Sequence, residues 1–265
     1  RKPEGKKKEQ APLKVVLNAG FGICKAEKSP AYDPRNANLI CLNGQLMLVD
    51  LIEHLEVIDG FELIQSNTDG LIVSLPDTDE AFEQMDDICA EWEERCNMEL
   101  EFDEILEIHQ KDVNNYVFKF ANGKLERKGA YVKELSNLDY DLPIINKALI
   151  DAMMNGIPVE KTIMECDDLK EFQMVKKASS KYKCILHGGK PIKEKCIRVF
   201  ASKDSSDGGL TKVHATTGRP AKIENTPVHS FLWNASVNGV KCPSKLDKQW
   251  YIDLANKRLK DFGVM

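Results

Sequence analysis

The chain has 265 residues, 42% hydrophobic and 30% charged, enough for one large domain or two small ones with a real core. That composition excludes a disordered chain, a collagen-like chain and a small disulfide scaffold, and no apolar run approaches the roughly 20 residues that span a bilayer. The net charge of −5 argues at face value against nucleic acid, but the charge is unevenly placed. Residues 77–107 hold fourteen acidic residues against one arginine, whereas 170–222 hold thirteen Lys/Arg against four acidic residues. An acidic element is therefore embedded in a basic chain. Each run also reads as a solvated face, and a basic tract can equally neutralise phosphates.

In chain order, residues 1–13 are polar and lysine-rich and carry neither an initiator Met nor a secretory h-region. A helical pattern starts at Leu13 and is expected to break at Gly20 and Gly22. Lys28–Arg35, with two prolines, reads as a loop. Leu39, Leu42, Leu46, Val49, Ile52 and Leu55 recur at helical spacing and predict one long helix over 36–57. Two apolar runs, Phe61–Gln65 and Leu71–Leu75, flank Ser66-Asn67-Thr68-Asp69-Gly70 and predict a β-hairpin with its tip near Asp69. An acidic helix is expected over Asp79–Cys96, with Phe82, Met85, Ile88 and Trp92 inward.

Strands are predicted at 98–109, 115–120 and 124–131, the last two joined at Asn122-Gly123. Hairpin, helix and returning strand together predict a β–β–α–β layer with helices on one face. Helices at 141–155 and 158–165, a β-rich lysine-rich stretch over 172–215 and a final helix over 245–262 complete the pattern. The eight cysteines include no C-x-x-C pair, which argues against zinc or a redox dithiol and for mostly buried thiols in a reducing compartment. Cys184 and His187 have no second pair with which to share a metal.

Three constellations bear on chemistry. On a helix, Lys14, Asn18, Phe21 and Gly22 share one face: a cation and an amide one turn apart suit a polyphosphate, and a ring beside bare backbone suits a flat partner. An amphipathic helix with a glycine-rich end reads from the same residues. Asp69 is a carboxylate on a tight turn, the rigid placement that a catalytic metal needs; ordinary turn chemistry favours the same residues. Lys111, Asn114, Asn115 and Tyr116, followed by Lys124, Arg127, Lys128 and Gly129, interleave cations with an aromatic, as a nucleic-acid grip or as a solvated sheet face.

In this order and spacing, the chain resembles the palm and thumb of family B DNA polymerases, in particular the phage and prophage branch. Lys14, Asn18, Phe21 and Gly22 match the family's K-x-x-x-N-x-x-Y-G motif with Phe for Tyr. Residues 29–56 look like the palm helix of the phage enzymes almost throughout. Asn67-Thr68-Asp69-Gly70 matches the phage form of the metal-binding motif Y-G-D-T-D-S, whose second Asp maps to Asp69. Asn114-Asn115-Tyr116 resembles the K-x-Y element that touches the primer end; its Tyr matches and its Lys does not, with Lys111 or Lys124 as the substitute. Lys128-Gly129 resembles the strand end leading into the thumb.

The family's D-x-x-S-L-Y-P motif, which supplies the other metal-binding Asp, does not occur in the chain. The resemblance covers 13–165 well and the remainder loosely. It implies an α+β fold: a polymerase palm, an antiparallel sheet with helices on one face, plus a mixed helical and β thumb. The implied division is a returning fingers helix and loop over 1–35, palm over 36–129 and thumb over 130–265. It implies template-directed deoxynucleotidyl transfer to a primer 3′-hydroxyl by a parent polymerase of which this chain is the C-terminal part, inactive alone.

The implied cofactor is Mg²⁺ in a two-metal site held by Asp69 and an Asp outside the chain. Lys14, Asn18, Phe21 and Gly22 would bind the nucleotide. Tyr116, Lys111, Lys124, Lys128, Lys176, Lys177 and Lys181 would meet DNA. Implied partners are primer–template DNA, deoxynucleoside triphosphates and the N-terminal remainder of the polymerase, with no membrane. Implied location is the cytoplasm, bacterial for a phage or prophage enzyme. The alternative is a non-catalytic nucleic-acid-binding or scaffold remnant of a polymerase gene. A reverse transcriptase or nucleotide cyclase is disfavoured, because neither Y-x-D-D nor G-G-[DE]-E-F occurs at the hairpin.

Overall fold

The computed structural model describes residues 7–136 and 139–264, so the first lysines of the chain lie outside the described residues. The fold is α+β and divides into two compact units, residues 1–102 and 103–265. Among the described residues, no helix is long and apolar enough to cross a membrane.

In the first unit, α1 (Lys7–Lys25) leads into α2 (Pro34–Leu55). The break expected at Gly20 and Gly22 does not occur: α1 runs through both. A glycine inside a helix costs only about 1 kcal/mol relative to alanine, and the backbone ladder continues past it. α2 begins where Asp33 caps it, its carboxylate accepting from the Asn36 backbone N–H at 3.0 Å, with Pro34 in the first turn. The hairpin β1 (Glu62–Ser66) and β2 (Leu71–Ser74) follows, then α3 (Asp79–Cys96), capped by Thr78 and ended by Asn97 in the left-handed conformation.

The small core of this unit comprises Leu51, Leu55, Ile58, Ala81, Cys89 and Trp92. Trp92 joins α3 to α2, its indole N–H donating to the Met47 carbonyl at 3.0 Å. Of the expected inward face of α3, Trp92 is buried while Phe82 is 46% exposed.

The second unit opens with an antiparallel sheet of β3 (Ile105–Asp112), β4 (Asn115–Phe120) and β5 (Leu125–Lys128) in sequence order. The single β–β–α–β layer expected from the sequence is therefore divided: β1 and β2 pair with each other, and β3 pairs with β4. The cause lies in residues 98–104, expected as strand, where Glu99, Glu101, Asp103 and Glu104 crowd four like charges into seven residues. Among the described residues, that stretch forms no strand, although the Ala121 N–H donates to the Glu104 carbonyl at 3.0 Å, and β3 starts only at Ile105.

Beyond it, α4 (Pro143–Asn155), α5 (Val159–Glu165) and α6 (Lys248–Asp261) pack with two further sheets. One contains β6 (Met174–Lys177), β9 (Cys196–Ala201) and β12 (Ser230–Leu232), in the order β12-β9-β6. The other contains β7 (Tyr182–His187), β8 (Lys190–Ile192), β10 (Leu210–His214) and β11 (Pro220–Lys222), in the order β11-β10-β7-β8.

The main core of the molecule is here. Ile144, Ile145, Leu149, Phe172, Phe200 and Tyr251 are all fully buried. The Tyr251 hydroxyl donates to the Phe172 carbonyl at 2.7 Å and accepts from the Ala201 N–H at 3.2 Å, tying α6 to the sheet. All eight cysteines are free thiols, but only Cys89 is buried; five are half-buried, and Cys41 and Cys196 are exposed. The expectation of mostly buried thiols is corrected accordingly.

Candidate metal centre and nucleic-acid interface

Asp69 lies on the turn between β1 and β2. The turn closes through the Asn67 N–H donating to the Gly70 carbonyl at 2.9 Å, while the Thr68 N–H donates to Asn67 Oδ1 at 2.8 Å. Its backbone is thus fixed locally, and its side chain is exposed. Among the described residues, the Asp69 carboxylate has no hydrogen-bond or ion-pair partner, and no cluster of three or more His, Cys, Asp or Glu side chains is placed to hold a metal. Inward along β1, Gln65 is 5% exposed and its Oε1 has no hydrogen-bond partner.

Lys14, Asn18 and Gly22 are exposed along α1, and Phe21 is half-buried. They share the face expected for them, but the Phe21 ring is already covered by the Lys25 ammonium at 4.6 Å from its centroid. Among the described residues, a Cβ added at Gly22 would meet nothing within 4 Å, so this flank of the helix is uncovered. No hydrogen bond or ion pair joins these residues to the hairpin among the described residues.

The second unit places Tyr116 differently from its sequence expectation as an open contact. It is 5% exposed, its ring stacks on Phe118 at 4.0 Å, and its hydroxyl donates to Glu126 Oε1 at 2.9 Å. Lys128 lies over the Tyr116 ring at 5.6 Å. Lys111 pairs with Asp261 at 3.7 Å and sits over the Tyr131 ring, whose centroid is also 4.2 Å from the Arg258 guanidinium. Lys124 is exposed, over Phe120.

The turn before Tyr116 is tightly built. Asp112 accepts from the Asn114 N–H and from Asn115 Nδ2, both at 2.9 Å, and these bonds hold its carboxyl below the usual carboxylate range. Gly129 closes over this turn with φ +99°. Arg127 fixes the chain beyond, donating to the Val132 and Lys133 carbonyls and to Asn146 Oδ1 at 2.7 Å; burial lowers its pKa.

Of the three lysines singled out in the basic tract, Lys177 and Lys181 are exposed, but Lys176 has only 13% of its side chain exposed and pairs with Asp141 at 3.4 Å. The stronger feature is the sheet β11-β10-β7-β8. Its strands and their two hairpin turns carry Lys183, Lys190, Lys212, Arg219 and Lys222 and no acidic residue, and Lys181 lies in the turn just before β7. None of the six has an ion-pair partner among the described residues. The signal was present in the sequence as two acid-free stretches, 181–192 and 210–223, which only the strand pairing brings together.

No protein-family profile matches the chain. It is similar to DNA polymerase 1 of Sulfurisphaera ohwakuensis, 23% identical over 198 residues. It is 22% identical over the same length to DNA polymerase 1 of Saccharolobus solfataricus. The chain is distantly related to DNA polymerases. Each match covers 73% of this chain and 21% of the relative, so the similarity spans about a fifth of the length of the polymerases it matches.

Proposed function

We propose that this chain is the C-terminal palm and thumb of a family B DNA polymerase of the phage and prophage kind, acting in a bacterial cytoplasm. Residues 1–35 are its returning fingers helix and loop, 36–129 its palm and 130–265 its thumb. The observation that carries the reading is Asp69, an unpartnered, exposed carboxylate on a closed turn, in a chain related to DNA polymerases.

A lone carboxylate offers hard oxygen ligands of the kind Mg²⁺ takes, and it fits one position of a two-metal site rather than the whole of it. When bound, Mg²⁺ supplies charge neutralisation for the attacking and leaving oxygens. The chain's own residues position the reactants. The Lys14 ammonium and Asn18 amide, one turn apart, bind the triphosphate of an incoming deoxynucleotide. Gly22, with its open flank, lets the nascent base pair lie against α1, and Phe21 borders it. Lys124 and Lys128, with Tyr116 beneath, border the primer strand, and the acid-free sheet meets duplex phosphates without reading sequence. Such transfer is mainly positioning and electrostatics.

Primer extension tests this. The chain alone is expected to be inert, because one carboxylate does not hold two ions. Combined with a polymerase segment bearing D-x-x-S-L-Y-P, it is expected to extend a primer, and Asp69→Asn to cut the rate by at least about a thousandfold. Robust extension by the chain alone, or full activity in D69N, overturns the assignment. Inertness in both cases, with salt-sensitive duplex binding retained, favours the non-catalytic binding protein.

A further inference from the structure

α2 carries no charged residue between Arg35 and Asp50, yet much of its apolar surface is uncovered. Leu39, Leu42, Leu46 and Val49 are 46%, 48%, 57% and 47% exposed. With Arg35 before them and Glu53 after them, they fall within a strip about 80° wide at about 100° per residue. Arg35 and Glu53 are exposed, and neither has an ion-pair partner among the described residues. A helix with an uncovered apolar seam of this kind marks a contact surface.

The strip is self-complementary on reversal. Leu42 and Leu46 lie two residues either side of position 44, Leu39 and Val49 five, and Arg35 and Glu53 nine. Two copies laid antiparallel about that position therefore set Leu42 against Leu46, Leu39 against Val49, and Arg35 against Glu53, twice each. A parallel pairing would set Arg35 against Arg35 and Glu53 against Glu53. A 3-4-3 apolar seam reads alike in both directions on any helix; what favours a second, antiparallel copy is the charge at the ends, where the exposed Arg35 of each copy meets the exposed Glu53 of the other.

We propose that a second copy of this chain docks on α2, antiparallel, with the two-fold axis at position 44. The proposal does not depend on the polymerase reading. Four half-exposed side chains per copy bury less than the roughly 1,200–2,000 Å² of a standard stable interface, so the dimer is weak and forms at about micromolar concentration or above.

Sedimentation equilibrium of the whole chain from about 1 to 200 μM tests it. The wild type is expected to pass from monomer to dimer. Leu46→Asp is expected to abolish dimerisation without moving the thermal melt, since Leu46 is mostly exposed. Arg35→Glu and Glu53→Arg are each expected to weaken the dimer at least severalfold, and the double exchange R35E/E53R to restore it to within about twofold. A chain that stays monomeric throughout overturns the proposal and leaves the strip to another segment of a polymerase. So does a dimer insensitive to L46D, or a double exchange that fails to restore pairing.

Discussion

Replacing Gly129 by alanine tests whether the turn that aims Tyr116 is built as described. Its φ of +99° lies where side chains are strained, and a Cβ there would fall 2.2 Å from Asn115 Oδ1 and 2.6 Å from the Asn114 carbonyl oxygen. The first neighbour is the end of a side chain, although that side chain is held by Asp112. The second is backbone and cannot turn aside. Left-handed strain costs about 1–2 kcal/mol, and forcing a methyl into packed surroundings adds about 1–3 kcal/mol. A loss of about 3 kcal/mol in the second unit would lower its melting temperature by roughly 6–12 °C.

Calorimetry of the full chain reads that transition, and hydrogen exchange over residues 115–131 locates the damage. Adding Asn115→Ala to Gly129→Ala clears the side-chain contact but leaves the backbone contact and the strained φ. The pair is therefore expected to be coupled by about 1 kcal/mol and to recover less than half of the loss. A G129A chain that melts within a degree of the wild type refutes the geometry, and with it the idea that this glycine holds the turn against the strand end.

Removing the Arg127 fork strips its donor from the Val132 carbonyl and Asn146 Oδ1, while the Lys133 carbonyl keeps Asn146 Nδ2 at 3.0 Å, so Arg127→Ala is expected to cost about 2–3 kcal/mol in chemical denaturation, and Arg127→Lys to recover less than half of it, because an ammonium does not reproduce the planar fork. The Asp139 carboxyl, hydrogen-bonded by Lys133 and Ser136, is lowered to about 2. An unfolded Asp titrates near about 3.9, so its contribution is complete above that pH and fades as the carboxyl protonates on the way down to about 2; between these values the wild type is expected to lose more stability than Asp139→Asn. For duplex DNA binding, Lys181→Gln is expected to lower the salt slope by about one, whereas Lys176→Gln, whose ammonium is already paired with Asp141, leaves it nearly unchanged; equal effects would refute the division between them.

The elements that sequence periodicity located best carry their own boundary signals. Thr78 caps α3 and Asn97 ends it in the left-handed conformation, so Asp79–Cys96 could be read directly. The hairpin around Asp69 was legible because apolar runs flank a polar turn. What could not be read depended on partners distant in sequence. Residues 98–104 have the alternation of a strand, but a ladder also needs an edge to pair with, and four carboxylates make that costly. Gly20 and Gly22 looked like a stop because glycine is a poor helix former, yet its penalty is small beside the ladder that continues past it.

Site residues divide along the same line. Residues exposed on one local element, such as Asp69 on its turn or Lys14 and Asn18 on α1, are found where spacing puts them, since nothing distant competes for them. Tyr116, Lys111 and Lys176 are each claimed by a partner: Glu126 across the strand, Asp261 on the last helix and Asp141 before α4. A count of basic residues cannot tell a paired cation from a free one, and for the same reason the net charge of −5 is a poor guide to nucleic-acid binding. Counterion release depends on how many unpaired cations can meet phosphates together. The sheet β11-β10-β7-β8 and the turn just before β7 carry six such cations, from the stretches 181–192 and 210–223, with no carboxylate among them. Lys212 pairs with Ile185 and Lys222 with Thr211, so these two lie on opposite faces of the sheet and one duplex does not meet all six; each contact it does make steepens the fall of log affinity with log salt by about 0.9.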